Sequence, residues 1–144
     1  MSALVLGIGR VDFEGEAAIR LEAVAEHSVR GTYDLPIADS GDGLSRADWS
    51  PMLTAVVDDC FNEIEPSVIA ARFHNTLARW AAAVVARHAT RDVVLSGGCF
   101  LNKLLTERVM EAISATRKRF YRHEKIPPGD GGLAAGQLAV AMCS

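Results

Sequence analysis

Asp92-Val93-Val94-Leu95-Ser96-Gly97-Gly98-Cys99-Phe100-Leu101-Asn102 runs from a short apolar segment straight into Ser-Gly-Gly, and a helical pattern begins a few residues later. Three consecutive apolar residues, two of them β-branched, suit a buried strand. A strand ending in small residues at a helix mouth lets a ligand approach the backbone, because glycine has no Cβ in the way. Free N–H groups of the following helix would then face that ligand and favour negative charge. The stretch therefore marks a place for a nucleotide or another phosphate-bearing group.

Outward from it, the pattern alternates. A long helix is predicted from about Pro66 to His88, with Ile69, Phe73, Leu77, Trp80, Ala81 and Val84 on one broad apolar face. The strand Val93-Val94-Leu95 follows, then a helix through Leu104, Leu105, Val109 and Ile113, then a basic strand-like run from Lys118 to Arg122. Ile126 to Gly132 reads as a rigid turn, and the small-residue segment Leu133 to Ala141 as a closing helix. Towards the N-terminus, Glu14 to Ala25 reads as a helix with Ala18, Leu21 and Ala25 on one stripe. Thr32 to Ile37 reads as an edge strand, since Pro36 cannot donate to a central ladder. Ala38 to Ser45 reads as a loop, and a helix then opens with Asp48 or Ser50 as N-cap, the latter with Pro51 in first position. The opening Met1 to Gly7 reads as a strand cut from a larger parent. Helices alternating with short strands indicate an α/β or α+β domain, the α/β form being a short sheet packed by helices.

Size and composition bound the function. The chain has 144 residues, about one domain, and residues 1–144 are taken together as one. An apolar share of 49% and a charged share of 23% are those of a globular protein. A net charge of -3 and a pI near 5.8 give no basic bias, which argues against nucleic acid as a partner. No apolar run reaches the roughly 20 residues that span a bilayer, and the N-terminus does not read as a secretory signal. Cys60, Cys99 and Cys143 form no Cys-x-x-Cys pair, so they read as reduced thiols of a cytoplasmic protein.

Four constellations carry potential chemistry. Ser96, Gly97 and Gly98 with Asn102 make either a ligand-facing wall or a plain turn in which Asn102 caps locally. Pro127-Pro128-Gly129-Asp130-Gly131-Gly132 precedes an Ala/Gly-rich helix that should pack closely on its neighbours. There Asp130 is either a ligand for a hard cation or an N-cap. His74 sits beside Phe73 at the edge of the apolar stripe and reads as structural. His27, His88 and His123 are scattered, without metal-ligand spacing. The acidic run Asp12 to Glu16 suits a first helical turn.

In their order, Glu14-Gly15-Glu16-Ala17-Ala18, Ala71-Arg72-Phe73-His74, Leu95 to Asn102 and Pro127 to Gln137 resemble the C-terminal part of the HypF carbamoyltransferases, which mature [NiFe] hydrogenases. The resemblance runs from about Gly9 to Ala141. It implies one lobe of a fold shared with tRNA threonylcarbamoyl-transferases and, more distantly, with the actin, Hsp70 and sugar-kinase group. It implies a C-terminal lobe that binds ATP or carbamoyl adenylate and passes the carbamoyl group to the C-terminal cysteine of a HypE-like partner. Ser96, Gly97, Gly98 and Gly131 would line the nucleotide pocket, with Asn102 near the base. Asp130 would be a ligand of a divalent metal, Mg or Fe/Zn. Two departures stand out: Cys99 replaces the family's usual Val, and Leu101 its usual Gln. The family's metal-binding histidine pair belongs to a preceding N-terminal lobe, so the resemblance implies that this lobe alone is inactive. The alternative is a non-catalytic nucleotide-binding or docking module that self-associates or complements another lobe. The whole reading requires the two glycine-rich bends to lie side by side.

Overall fold

The computed structural model describes residues 1–39 and 44–143. Its backbone is the 21-residue helix α4, Pro66–Ala86. Pro66 pre-sets the first turn, and no glycine or proline interrupts the rest. In its middle α4 is buried almost all round: Ile69, Ala70, Ala71, His74, Thr76 and Ala78 are all enclosed. This face is rotated from the predicted stripe, and Phe73 and Leu77 are only half-buried. The alanines explain the shift, since a side chain of one carbon lets neighbouring helices approach closely.

Two apolar clusters sit at opposite ends of α4. The first gathers Val5, Leu21, Ala25, Val56, Ile69, Ala70, Ala71 and Leu104. It joins α1 (Ser2–Leu6), α2 (Glu16–Val24), α3 (Ser50–Phe61) and the start of α5 (Lys103–Ser114). The second gathers Ala78, Leu95, Val109 and Ile113, with Val93, Phe100 and Phe120 packed on it. Removing side chains such as Ile69 and Ile113 from water contributes roughly 1.5–3 kcal/mol each, and both are at most 1% exposed.

The second cluster is roofed by a two-stranded parallel sheet, β3 (Asp92–Leu95) and β4 (Arg119–Arg122), in register Asp92↔Arg119 to Leu95↔Arg122. Parallel strands need a crossover, which α5 supplies. Val93 and Phe120 face the helices, whereas Val94 and Tyr121 on the other face are 68% and 50% exposed. A second sheet is the antiparallel hairpin of β1 (Ile37–Asp39) and β2 (Ser45–Ala47). The last helix is α6, Leu133–Cys143.

Several sequence expectations change here. Met1 to Gly7 is not a strand. Ser2–Leu6 coils, because Met1, Val5 and Leu6 then meet the first cluster, and Gly7 closes the turn at φ 63°. In α2 the buried positions are Glu16, Leu21 and Ala25, and Ala18 points out. Of the expected edge strand Thr32 to Ile37, Ile37 joins β1 and the Pro36 carbonyl accepts the Asp48 N–H at 3.0 Å, while the earlier part and the chain before it bond to α4 side chains. Tyr33 N–H donates to Thr76 Oγ1 at 2.8 Å, and Asn75 Nδ2 donates to the Val29 and Gly31 carbonyls at 2.9 and 3.1 Å. The expected loop from Ala38 to Ser45 is partly hairpin strand, and its Ser40, Gly41, Asp42 and Gly43 lie outside the described residues. At α3, Asp48 Oδ1 accepts the Ser50 N–H at 3.0 Å. Finally, α6 does not pack closely on its neighbours: none of its described residues is buried. It leans chiefly on the turn before it, leaving Leu133, Leu138, Val140 and Met142 largely exposed.

Candidate functional site

β3 and β4 end together, and in parallel sheets the carboxyl ends of the strands are where ligands bind. Beyond Leu95 the chain enters Ser96-Gly97-Gly98. Beyond Arg122 it passes His123 and returns through Pro127 and Pro128 to Gly129. The two glycine-rich bends touch. Gly97 N–H donates to the Pro128 carbonyl at 2.9 Å, and a Cβ on Gly129 would lie 3.5 Å from Gly98 Cα. Gly97 holds φ 100°, a conformation that favours glycine. Gly132 is fixed by contact instead: a Cβ there would sit 2.6 Å from the Pro127 carbonyl oxygen.

Between these bends and α6 lies an open cavity of about 610 Å³, lined largely by Pro127, Pro128, Gly129, Gly132, Leu133 and Val140. Its side-chain polar groups are Ser96, His123 and Gln137. Ser96 Oγ lies 3.0 Å from His123 Nε2. Sequence reading passed over His123 as scattered. The signal was present, however: in paired parallel strands of four residues each, the residues one step past the ends are neighbours.

Asn102 faces inward. Its Oδ1 accepts the Leu105 N–H at 2.7 Å, capping α5, and its Nδ2 lies 2.9 Å from His74 Nε2. His74 is 2% exposed, and its Nδ1 lies 2.8 Å from the Ala70 carbonyl. Only one arrangement satisfies all four atoms: Nδ1–H donates to Ala70, and Nε2 accepts from Asn102. Burial holds His74 below its ordinary imidazole range, only partly countered by the Ala70 bond. The local capping role is thus realised, and the glycine bend is tied through Asn102 to α4.

The expected row of free N–H groups at the mouth of α5 is not found. A 3-10 turn, Gly98–Leu101, separates the glycines from the helix. Leu104 N–H then donates to Glu22 Oε1 at 3.0 Å, Leu105 N–H to Asn102, and Thr106 N–H to the Asn102 carbonyl at 3.1 Å. A carboxylate already answers the helix dipole here.

Asp130 opens a short 3-10 turn, Asp130–Gly132, ahead of α6, and is exposed with Gly131 beside it. The N-cap position of that turn is Gly129, so Asp130 stands one residue inside it. Among the described residues no group of three or more His, Cys, Asp or Glu is placed to hold a metal ion, so this chain's described residues do not form a metal site by themselves. The acidic run proves structural at one point: Glu16, 5% exposed, accepts the Asp12 N–H at 2.6 Å and pairs with Arg20. The Asp12 bond holds its carboxyl below the usual range. Cys60, Cys99 and Cys143 are unbridged.

Residues 1–137 match the family model described as "Carbamoyltransferase, Kae1-like Domain, second subdomain". The chain belongs to the HypF carbamoyltransferase family. It is 30% identical over 139 residues to carbamoyltransferase HypF of Synechocystis sp., covering 96% of this chain and 18% of that protein. With carbamoyltransferase HypF of Rhizobium leguminosarum it shares 32% over 150 residues, covering 97% of this chain and 18% of that one. A full-length HypF solved in a phosphate- and nucleotide-bound form superposes with a TM-score of 0.89 at 30% identity, over 97% of this chain and 19% of that one. HypF of T. kodakarensis, at 22% identity and a TM-score of 0.76, has the same fold. The chain thus spans less than a fifth of the length of these relatives. Its α/β architecture, short sheets packed by helices, is that of a Kae1-like domain. No helix is long and apolar enough to cross a membrane among the described residues.

Proposed function

We propose that this chain is the C-terminal lobe of a HypF-type carbamoyltransferase. It binds ATP or carbamoyl adenylate against the wall made by Ser96, Gly97, Gly98 and Gly131. The carbamoyl group passes from there to the C-terminal cysteine of a HypE-like partner during [NiFe] hydrogenase maturation. The observation that carries this reading is the contact of the two glycine bends, Gly97 N–H on the Pro128 carbonyl at 2.9 Å. Gly97, Gly98 and Gly129 carry no side chain at the junction, so a flat ligand can lie against backbone there. The cavity beside it, mostly apolar with a few polar groups, has the character of a small-molecule site.

Of the two remaining residues, one departs from the role the family resemblance implies and one keeps it. Asn102 contributes by fixing the bend, its Oδ1 and one amide N–H being engaged inward. Asp130 contributes one carboxylate to a divalent cation, Mg or Fe/Zn, whose other ligands come from beyond this chain. A single lobe offers one wall of a cleft, and groups that must oppose it are not held in place.

The test joins this lobe to the remainder of a HypF enzyme. Asp130→Ala and Gly97→Val are expected to abolish carbamoyl transfer while far-UV circular dichroism stays unchanged. Full turnover in both variants would defeat the proposal. A second reading, a docking module that complements another lobe or a second copy, is favoured by α6. Its Leu133, Leu138, Val140 and Met142 are 62–79% exposed on one short helix. Such an apolar surface calls for a cover. A chain that sediments as a monomer at every concentration would exclude the self-associating form.

A further inference from the structure

We infer that His123 is a positioning residue of this cleft, holding the Ser96 hydroxyl so that its oxygen accepts a hydrogen bond from a hydroxyl of the bound nucleoside; the inference rests on the nucleotide reading above. Ser96 and His123 each lie one residue past the end of a strand, β3 and β4, whose register pairs Leu95 with Arg122. That placement brings Ser96 Oγ to 3.0 Å from His123 Nε2. A serine hydroxyl has one proton and two lone pairs. When neutral imidazole Nε2 takes the proton, Ser96 can only accept along its remaining directions. The group it selects is therefore a donor: a hydroxyl, not a phosphate oxygen.

The surroundings agree with that polarity. His123 borders three cavities: the one under α6, the cleft that Lys103 and Arg122 line, and the hollow along β4. The cavity under α6, which Ser96 also lines, carries no Arg or Lys side chain. A largely apolar cavity with two or three polar groups suits the uncharged half of a nucleotide, its base and sugar. Ser96 and His123 are both exposed in the free chain. The pair is desolvated only when a ligand covers it, so its bond strengthens in the bound state.

The experiment titrates the full chain with adenosine and with 2′,3′-dideoxyadenosine, followed by NMR shifts of the Ser96–Gly98 amides. Wild type is expected to prefer adenosine by about tenfold, the worth of one well-made hydrogen bond. Ser96→Ala and His123→Ala should each reduce that preference to within about twofold, and the double variant should go no further. His123→Gln, whose amide oxygen can still accept, should restore part of it. Affinity for the dideoxy compound should stay level throughout, which a merely structural role for His123 would not allow. An undiminished preference in His123→Ala overturns the inference and leaves the nucleotide reading standing. Failure to bind either nucleoside, both as the chain alone and when joined to the remainder of a HypF enzyme, overturns both.

Discussion

Replacing Asn102 by alanine removes two interactions that the structure resolves separately. The first is the N-cap of α5, the Leu105 N–H on Oδ1 at 2.7 Å; losing such a cap costs about 0.5–2 kcal/mol. The second is the donor that satisfies His74 Nε2 at 2.9 Å inside a site where His74 is 2% exposed. A buried acceptor left unmet costs about 1–3 kcal/mol. Their sum, about 1.5–5 kcal/mol, is a large part of a domain's usual 5–15 kcal/mol. In urea it should move the unfolding midpoint by about 1–3 M at an unchanged slope. Asn102→Asp separates the two terms. It keeps an acceptor for Leu105 but turns a second acceptor towards Nε2, so His74 must take up a proton to be satisfied. In wild type the folded imidazole is harder to protonate than its ordinary value of 6.5, because burial disfavours the charge. The unfolded chain therefore binds the proton first. The His74 contribution is complete above pH 6.5 and is lost as pH falls below it, towards the lowered folded value. In Asn102→Asp the sign reverses, and acidification from pH 7 should narrow the gap to wild type. The reasoning is refuted if Asn102→Ala lies within about 0.5 kcal/mol of wild type, the range of an ordinary surface change. It also fails if the aspartate variant shows the wild-type pH slope.

Gly132→Ala puts a methyl group 2.6 Å from the Pro127 carbonyl oxygen, so the second bend must move. Weakened adenosine binding at a near-normal melting temperature is the expected pattern. Ile69→Ala, at a site 1% exposed, should cost about 2–5 kcal/mol in chemical denaturation. Leu138→Ser, at a site 62% exposed, should cost under about 0.5 kcal/mol while reducing self-association in sedimentation. Burial first, and then the Asp59 carboxylate at 2.7 Å, raise the Tyr33 phenol above its usual range. Asp59→Asn should bring phenolate absorbance in at lower pH, and no change would discount the pair.

The elements around the site were legible because each depends on local chemistry. Val93-Val94-Leu95 with a following periodic helix admits little else, and the basic run before Pro127 continues the same alternation. The adjacency of the two bends was also reachable, since a parallel pair places its exits side by side. What escaped the sequence were bonds made across long separations. Leu104 N–H takes Glu22 from 82 residues away, and Asn102 takes His74 from 28. No periodicity encodes either pairing. The same holds at Tyr33, whose N–H goes to Thr76 Oγ1 from 43 residues away rather than to a strand partner.

The distribution of satisfied and unsatisfied groups says where this lobe is finished and where it is not. Behind the bends the core is closed: both ring nitrogens of His74 have partners, the start of α5 is answered by Glu22, and Met52, Val56, Ile69 and Ile113 are at most 1% exposed. In front of them the opposite holds. Val94, Tyr121 and the whole of α6 present apolar surface to water. A helix that is apolar all round is ordinarily a buried one, yet Leu138 and Val140 are 62% and 69% exposed. The family relatives are about five times longer than the stretch this chain matches, so their further length is where a cover for this side is to be sought. A rigid back with an open front is the division expected of one wall of a cleft.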